Sequence, residues 1–156
     1  MATTFVHIPR TGGLALQMAL VGTEVVYGGH DTPHSRTDGP VITIVRDPVA
    51  RFISTFDHFG HKLGGLTIEQ VAADPERGGW PFAPMVTWLD CRCPYLWVGH
   101  TETLESDVER LRAVIPSVGP LPRHNESRRH STLSAEGEAS VRAFYADDHA
   151  LLERLA

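Results

Sequence analysis

Cysteine, lysine and long apolar runs are all scarce in this chain of 156 residues. The two cysteines, Cys91 and Cys93, are too few for a disulfide framework and lack the companions of a structural zinc site. In an extended segment their Cys-x-Cys spacing puts the side chains on opposite faces, so they read as reduced packing residues. No uninterrupted apolar stretch approaches the ~20 residues that cross a bilayer, and no membrane partner is expected. No basic segment leads into an apolar one at the start of the chain, and a cytoplasmic location is the expectation. Positive charge is the minority sign, with 14 Lys and Arg against 19 Asp and Glu, a net charge of −5. A dedicated nucleic-acid binder needs a basic surface, so nucleic acid is set aside as a partner. Among the 14 cations only Lys62 is a lysine. GC-rich coding bias explains most of that, although forked guanidinium groups suit phosphate and sulfate.

The chain is 42% hydrophobic and 21% charged, the balance of a globular protein, and its length fits a single domain over 1–156. A short apolar strand is expected over 4–8, ended by Pro9 and the Gly12-Gly13 pair. A largely buried helix follows over 14–21, with Leu14, Leu16, Met18, Ala19 and Leu20 inward. A brief strand over 24–27 gives way to a polar loop over 28–40. The unbroken apolar run at 41–45 reads as a central parallel strand buried on both faces. Asp47 and Pro48 have the chemistry of an N-cap and first helical residue. Val49, Phe52, Ile53, Phe56 and Phe59 then mark one face of a helix. A short helix over 67–73, irregular structure over 78–94, a strand over 95–98 and a helix over 104–115 follow. A loop over 116–130 and one terminal helix over 134–155, with Val141, Phe144, Tyr145, Leu152 and Leu155 inward, complete the chain. Repeated strand–turn–helix units predict an α/β fold with a mostly parallel sheet, whose strand-to-helix loops share one edge. That edge collects Pro9–Gly13 and Arg46–Pro48.

Two segments at that edge carry chemistry. In Phe5-Val6-His7-Ile8-Pro9-Arg10-Thr11-Gly12-Gly13-Leu14 a strand runs through a glycine turn into a helix start, where orphan amides favour an anion. Arg10 adds a cation. The spacing is not that of a Walker A loop, which also needs a lysine. In Val45-Arg46-Asp47-Pro48-Val49-Ala50-Arg51-Phe52-Ile53-Ser54, Arg46 ends the buried strand. Ser54 lies two turns into the next helix, away from its apolar face. Taken alone, each segment also reads as ordinary turn and helix chemistry.

Together and in this order, they resemble the two nucleotide-binding motifs of the sulfotransferase superfamily, which uses 3′-phosphoadenosine 5′-phosphosulfate (PAPS) as sulfuryl donor. The first resembles the 5′-phosphosulfate loop His-Ile-Pro-Lys-Thr-Gly-Gly of the carbohydrate branch, with Arg10 standing at the family's lysine. The second resembles the 3′-phosphate motif Arg-Asp-Pro-x-x-Arg-Phe-x-Ser at every fixed position. Val98-Gly99-His100-Thr101-Glu102-Thr103-Leu104 is similar to a family strand–helix junction. His124-Asn125-Glu126-Ser127 resembles the late loop that closes over the donor. The resemblance implies a minimal sulfotransferase fold with a P-loop-like parallel sheet. It implies that Arg10, Thr11, Gly12, Gly13 and Leu14 wrap the phosphosulfate. Arg46 and Ser54 would bind the 3′-phosphate, with Asn125, Ser127 and Arg128 as further contacts. Arg10 would also stabilise the leaving phosphate.

Transfer to a hydroxyl needs a base, and the Gly29-His30 pair after the second strand matches the position of the family's proposed catalytic histidine. His30 is the first candidate and His34 the second, with His58 and His61 behind them; His7 reads as structural. Without the resemblance, His30 is equally a loop histidine capping a turn. The basic run from Arg123 to His130 closes over donor or acceptor, or is a solvated loop. Trp80 and Trp88 read as packing residues. No carboxylate cluster for Mg²⁺ is visible, so no metal is expected. The implied reaction is sulfuryl transfer from PAPS to a hydroxyl-bearing acceptor, a carbohydrate or small molecule. The alternative is a nucleotide-binding homologue with little or no catalysis, acting as an interaction protein. A phosphoryl-transfer enzyme is disfavoured by the missing lysine and Mg²⁺ ligands.

Overall fold

The computed structural model of the chain describes residues 1–30, 33, 37–90, 94–123 and 130–156. Among them four strands, β1 (Thr4–Val6), β2 (Val26–Tyr27), β3 (Val41–Val45) and β4 (Tyr95–His100), form one sheet in the order β2-β1-β3-β4. Every pairing is parallel. The helices are α1 (Gly13–Ala19), α2 (Pro48–Phe59), α3 (Ile68–Ala73), α4 (Leu104–Val114), α5 (Ala135–Phe144) and α6 (Ala146–Leu155). The fold is therefore α/β with an all-parallel sheet, as the strand–turn–helix pattern predicts. The chain divides into two compact units. One comprises Met1–Arg46, Trp88–Glu126 and Leu155; the other comprises Asp47–Thr87, Ser127–Arg154 and Ala156.

The sheet belongs to the first unit. All five residues of β3 are buried, which its run of Val and Ile predicts. Its one polar side chain, Thr43, donates its hydroxyl to the Val6 carbonyl at 2.9 Å, so no buried polar group is stranded. Phe5, Ile42, Ile44 and Trp97 pack with Leu16, Ala19 and Leu20 of the α1 segment and with Val108 and Leu111 of α4. The expectation that α1 is buried nearly all round is corrected. Leu14 and Met18 are 41% and 46% exposed, because only the Leu16–Ala19–Leu20 stripe meets the sheet. β2 is also shorter than expected, and β4 runs two residues further, to His100.

The second unit is organised around α2. Asp47 accepts the Ala50 amide at 2.9 Å, with Pro48 in the first turn, as its sequence predicts. α3 opens with a capping box in which Thr67 and Gln70 satisfy each other's amides. Val49 and Phe52 pack with Val71, Ala72, Phe82, Val141 and Tyr145. Ser54 is not outside the buried face. It is 6% exposed, and Arg51 and Thr55 are buried as well, so the buried band of α2 is wider than its apolar stripe.

The reason lies in the segment 81–86, whose short 3-10 turns leave backbone groups without regular partners. Arg51 donates to the carbonyls of Ala83 (2.9 Å) and Pro81 (3.1 Å). The Tyr145 hydroxyl donates to Phe82 O at 2.6 Å, and the Asp148 carboxylate accepts the amides of Met85 and Val86 at 2.8 and 3.0 Å. Burial pushes the Asp148 carboxyl up from its ordinary range, against those two amides and the Arg51 charge. Side chains thus replace the ladder that this segment lacks. Arg51→Ala strips charged donors from two carbonyls and is expected to cost about 3 kcal/mol. A urea titration checks this: the midpoint should fall at unchanged slope, and an unmoved midpoint contradicts the assignment.

The single terminal helix expected over 134–155 is corrected to two. Tyr145, with φ −97° and ψ 27°, separates α5 from α6. The break rotates the following turns, so Leu151 is buried in place of Leu152. In an unbroken helix Leu152 falls in phase with Val141 and Tyr145.

Candidate functional site

In the order β2-β1-β3-β4 the chain passes from β1 outward to β2, then returns to β3 on the other side of β1. The switch point lies between β1 and β3, and open α/β sheets bind ligands outside the carboxyl ends of the strands there. The loop from His7 to Gly12 leaves β1 at this place, and Arg46 directly follows β3.

The loop is tightly specified. Thr11 is buried and donates its hydroxyl to Ile8 O at 2.9 Å. Arg10 has φ +64°, the one positive φ outside glycine among the described residues. That conformation costs an L-residue on the order of 1 kcal/mol or more, so surrounding contacts must enforce it. Two of them are visible. Arg46 donates from Nη1 to the Arg10 carbonyl at 3.2 Å, and the Thr101 hydroxyl donates to Thr11 O at 2.7 Å. The Thr101 hydroxyl also lies 3.2 Å from Val45 O. The ends of β1, β3 and β4 are thereby stitched around one loop.

Thr101 is held in turn by the start of α4. Asp107, 2% exposed, accepts the His100 amide at 2.7 Å and the Thr103 hydroxyl at 2.9 Å, and pairs with Arg110 at 2.8 Å. Burial pushes its carboxyl up, yet those donors and the Arg110 charge outweigh it and hold the group below its ordinary range. Thr103 therefore serves Asp107 and makes no side-chain cap of its own.

A histidine pair adjoins the loop. The His7 ring is buried, stacked on Phe5 at 5.4 Å between centroids, and its Nδ1 lies 2.8 Å from the Tyr27 hydroxyl. Burial lowers its pKa to about 3, with the His30 charge a smaller cause. His7 is thus a neutral structural ring at neutral pH. His30 donates from Nδ1 to the His7 carbonyl at 2.9 Å, with the two rings 4.1 Å apart. The indole of Trp88 donates to His30 O at 2.7 Å.

Gly13 makes room for this arrangement, since a Cβ there would overlap Cδ2 and Nε2 of the His7 ring. Gly13→Ala is expected to displace the ring and to destabilise the protein by about 1–3 kcal/mol, as overpacking does. Thermal unfolding measures the loss; an unchanged midpoint contradicts the packing.

The first unit thus brings together Arg10, Thr11, Gly12, Gly13, Leu14, His30 and Arg46. Ser54 belongs to the second unit, buried in α2. His58 and His61 also lie there, both exposed. His34, Asn125, Ser127, Arg128, Cys91 and Cys93 lie outside the described residues. Trp88 packs, at 5% exposed, whereas Trp80 is 54% exposed and rests against the Phe59 ring. Sequence reasoning did not single out Thr101, Tyr27 or Trp88 as loop-holding residues. Thr101 alone left a signal, standing directly after a strand at the functional edge. Among the described residues no group of three or more side chains is arranged to hold a metal ion, and no helix is long and apolar enough to cross a membrane. No protein-family model matches the chain, and no curated protein is significantly similar to it.

Proposed function

We propose that the chain is a minimal PAPS-dependent sulfotransferase acting on an acceptor hydroxyl, of a carbohydrate or small molecule. The observation that carries this reading is the bond from Arg46 Nη1 to the Arg10 carbonyl, at 3.2 Å. It joins, at the switch point of a parallel sheet, the two segments that resemble the family's phosphosulfate and 3′-phosphate motifs, 36 residues apart in sequence. Loop amides and two guanidinium groups suit a ligand carrying several anionic oxygens, and neither depends on a metal.

In this reading the backbone of residues 11–14 and the Arg10 side chain hold the 5′-phosphosulfate, and Arg46 holds the 3′-phosphate. The acceptor oxygen attacks sulfur in line, forming the new S–O bond as the bond from sulfur to the bridging phosphate oxygen breaks. His30 takes the acceptor's proton, and Arg10 stabilises the charge that develops on the departing phosphate. The products are the sulfated acceptor and adenosine 3′,5′-bisphosphate. The test is transfer of label from [³⁵S]PAPS to a panel of carbohydrate and small-molecule acceptors. Labelled acceptor with stoichiometric bisphosphate is the expected result. Nucleotide binding with no transfer to any acceptor contradicts the catalytic reading and leaves a binding protein.

A further inference from the structure

We propose that Trp88 and His7 are positioning residues for His30: the Trp88 indole holds its main chain and the His7 carbonyl holds its ring. The imidazole is thereby fixed with its proton on Nδ1 and its lone pair on Nε2, the nitrogen that takes the acceptor's proton. The inference rests on the reading of His30 as the base, and specifies how that base is set.

The tautomer follows from bonding. A carbonyl oxygen only accepts, so the 2.9 Å contact between His30 Nδ1 and His7 O requires the proton on Nδ1. In a neutral ring the other nitrogen is then the basic one. An unconstrained histidine favours the opposite tautomer, with the proton on Nε2, so the protein must impose this one.

Two anchors do so, from different parts of the chain. His7 O stays in place because its own ring is fixed. The ring is stacked on Phe5, bonded to Tyr27 and seated against the bare Cα of Gly13. Tyr27 lies three residues before His30, so His7 meets the 27–30 segment at both ends, through its Nδ1 and through its carbonyl. Trp88, 58 residues from His30, fixes the main chain of the same segment with a 2.7 Å bond. His7 does not compete for the proton, because burial keeps it neutral.

The test is a long-range ¹H–¹⁵N correlation spectrum of the full chain at neutral pH, with the His30 signals identified by their loss in His30→Gln. The wild type is expected to show His30 protonated on Nδ1. Trp88→Phe keeps an aromatic ring but loses the donor, and is expected to shift His30 toward the Nε2–H form. Its kcat should fall by about tenfold or more at unchanged KM for the donor, as misplacement of a reacting group does. His7→Asn, which loosens the carbonyl's support, is expected to mix the tautomers as well. A wild-type His30 protonated on Nε2 overturns the proposal, whatever the variants do. A pure Nδ1–H signal in both variants also overturns it. The spectrum needs neither donor nor acceptor. A chain with the expected tautomer that moves no sulfuryl group therefore refutes the proposed reaction separately from the positioning.

Discussion

His30→Ala is expected to lower kcat for sulfuryl transfer by about 10²–10⁴-fold, the usual contribution of a positioned general base. Affinity for adenosine 3′,5′-bisphosphate should stay within about twofold, since the bond from His30 Nδ1 goes to the carbonyl of His7. The two readouts separate catalysis from folding. A variant that loses nucleotide binding in step with turnover points to collapse of the loop. Near-normal turnover removes His30 from the mechanism.

Acid is expected to unfold the protein by way of His7. Its folded pKa, about 3, lies below the ordinary 6.5, so the folded state disfavours a proton that the unfolded chain accepts. The stability held in the neutral ring is fully present above about pH 6.5. It is lost as pH falls toward 3, at about 1.4 kcal/mol per unit, or roughly 2 kcal/mol by pH 5. Asp107, held below its ordinary range, adds loss in the same direction at lower pH, while Asp148, pushed up by burial, works the other way. Comparison with His7→Asn isolates the imidazole, because both proteins keep those carboxylates. Urea midpoints should show the gap between wild type and variant narrowing by about 2 kcal/mol from pH 7.5 to 5. Parallel pH curves contradict a buried neutral His7.

Local chemistry made much of the fold legible. The Val41–Val45 run, the Asp47-Pro48 helix start and the Gly12-Gly13 turn each carry their instructions within a few residues, and each appears where the sequence places it. What was illegible depends on distant partners. Arg51 is buried in α2 because it reaches carbonyls some 30 residues away, which no helical periodicity encodes. The break at Tyr145 accompanies a hydroxyl that serves Phe82 O across 63 residues. Motif and position single out Arg10, Arg46 and His30, which the structure brings to one loop, but the groups that hold them carry no such signal. Thr101 and Trp88 act through single hydrogen bonds to main-chain carbonyls, across 90 and 58 residues, and such bonds leave no pattern in sequence.

In the proposed function, Arg46 and the Arg10 loop form a site for the 3′-phosphorylated donor nucleotide. Calorimetric titration with adenosine 3′,5′-bisphosphate and adenosine 5′-monophosphate, on wild type and Arg46→Ala, addresses it most directly. The wild type should bind the bisphosphate more tightly. Loss of a charged donor costs about 1.5–3 kcal/mol, so Arg46→Ala should weaken bisphosphate binding about tenfold or more, and monophosphate binding by less, through the lost Arg46–Arg10 contact alone. Failure of the wild type to bind the bisphosphate, or equal losses for both nucleotides, contradicts the account.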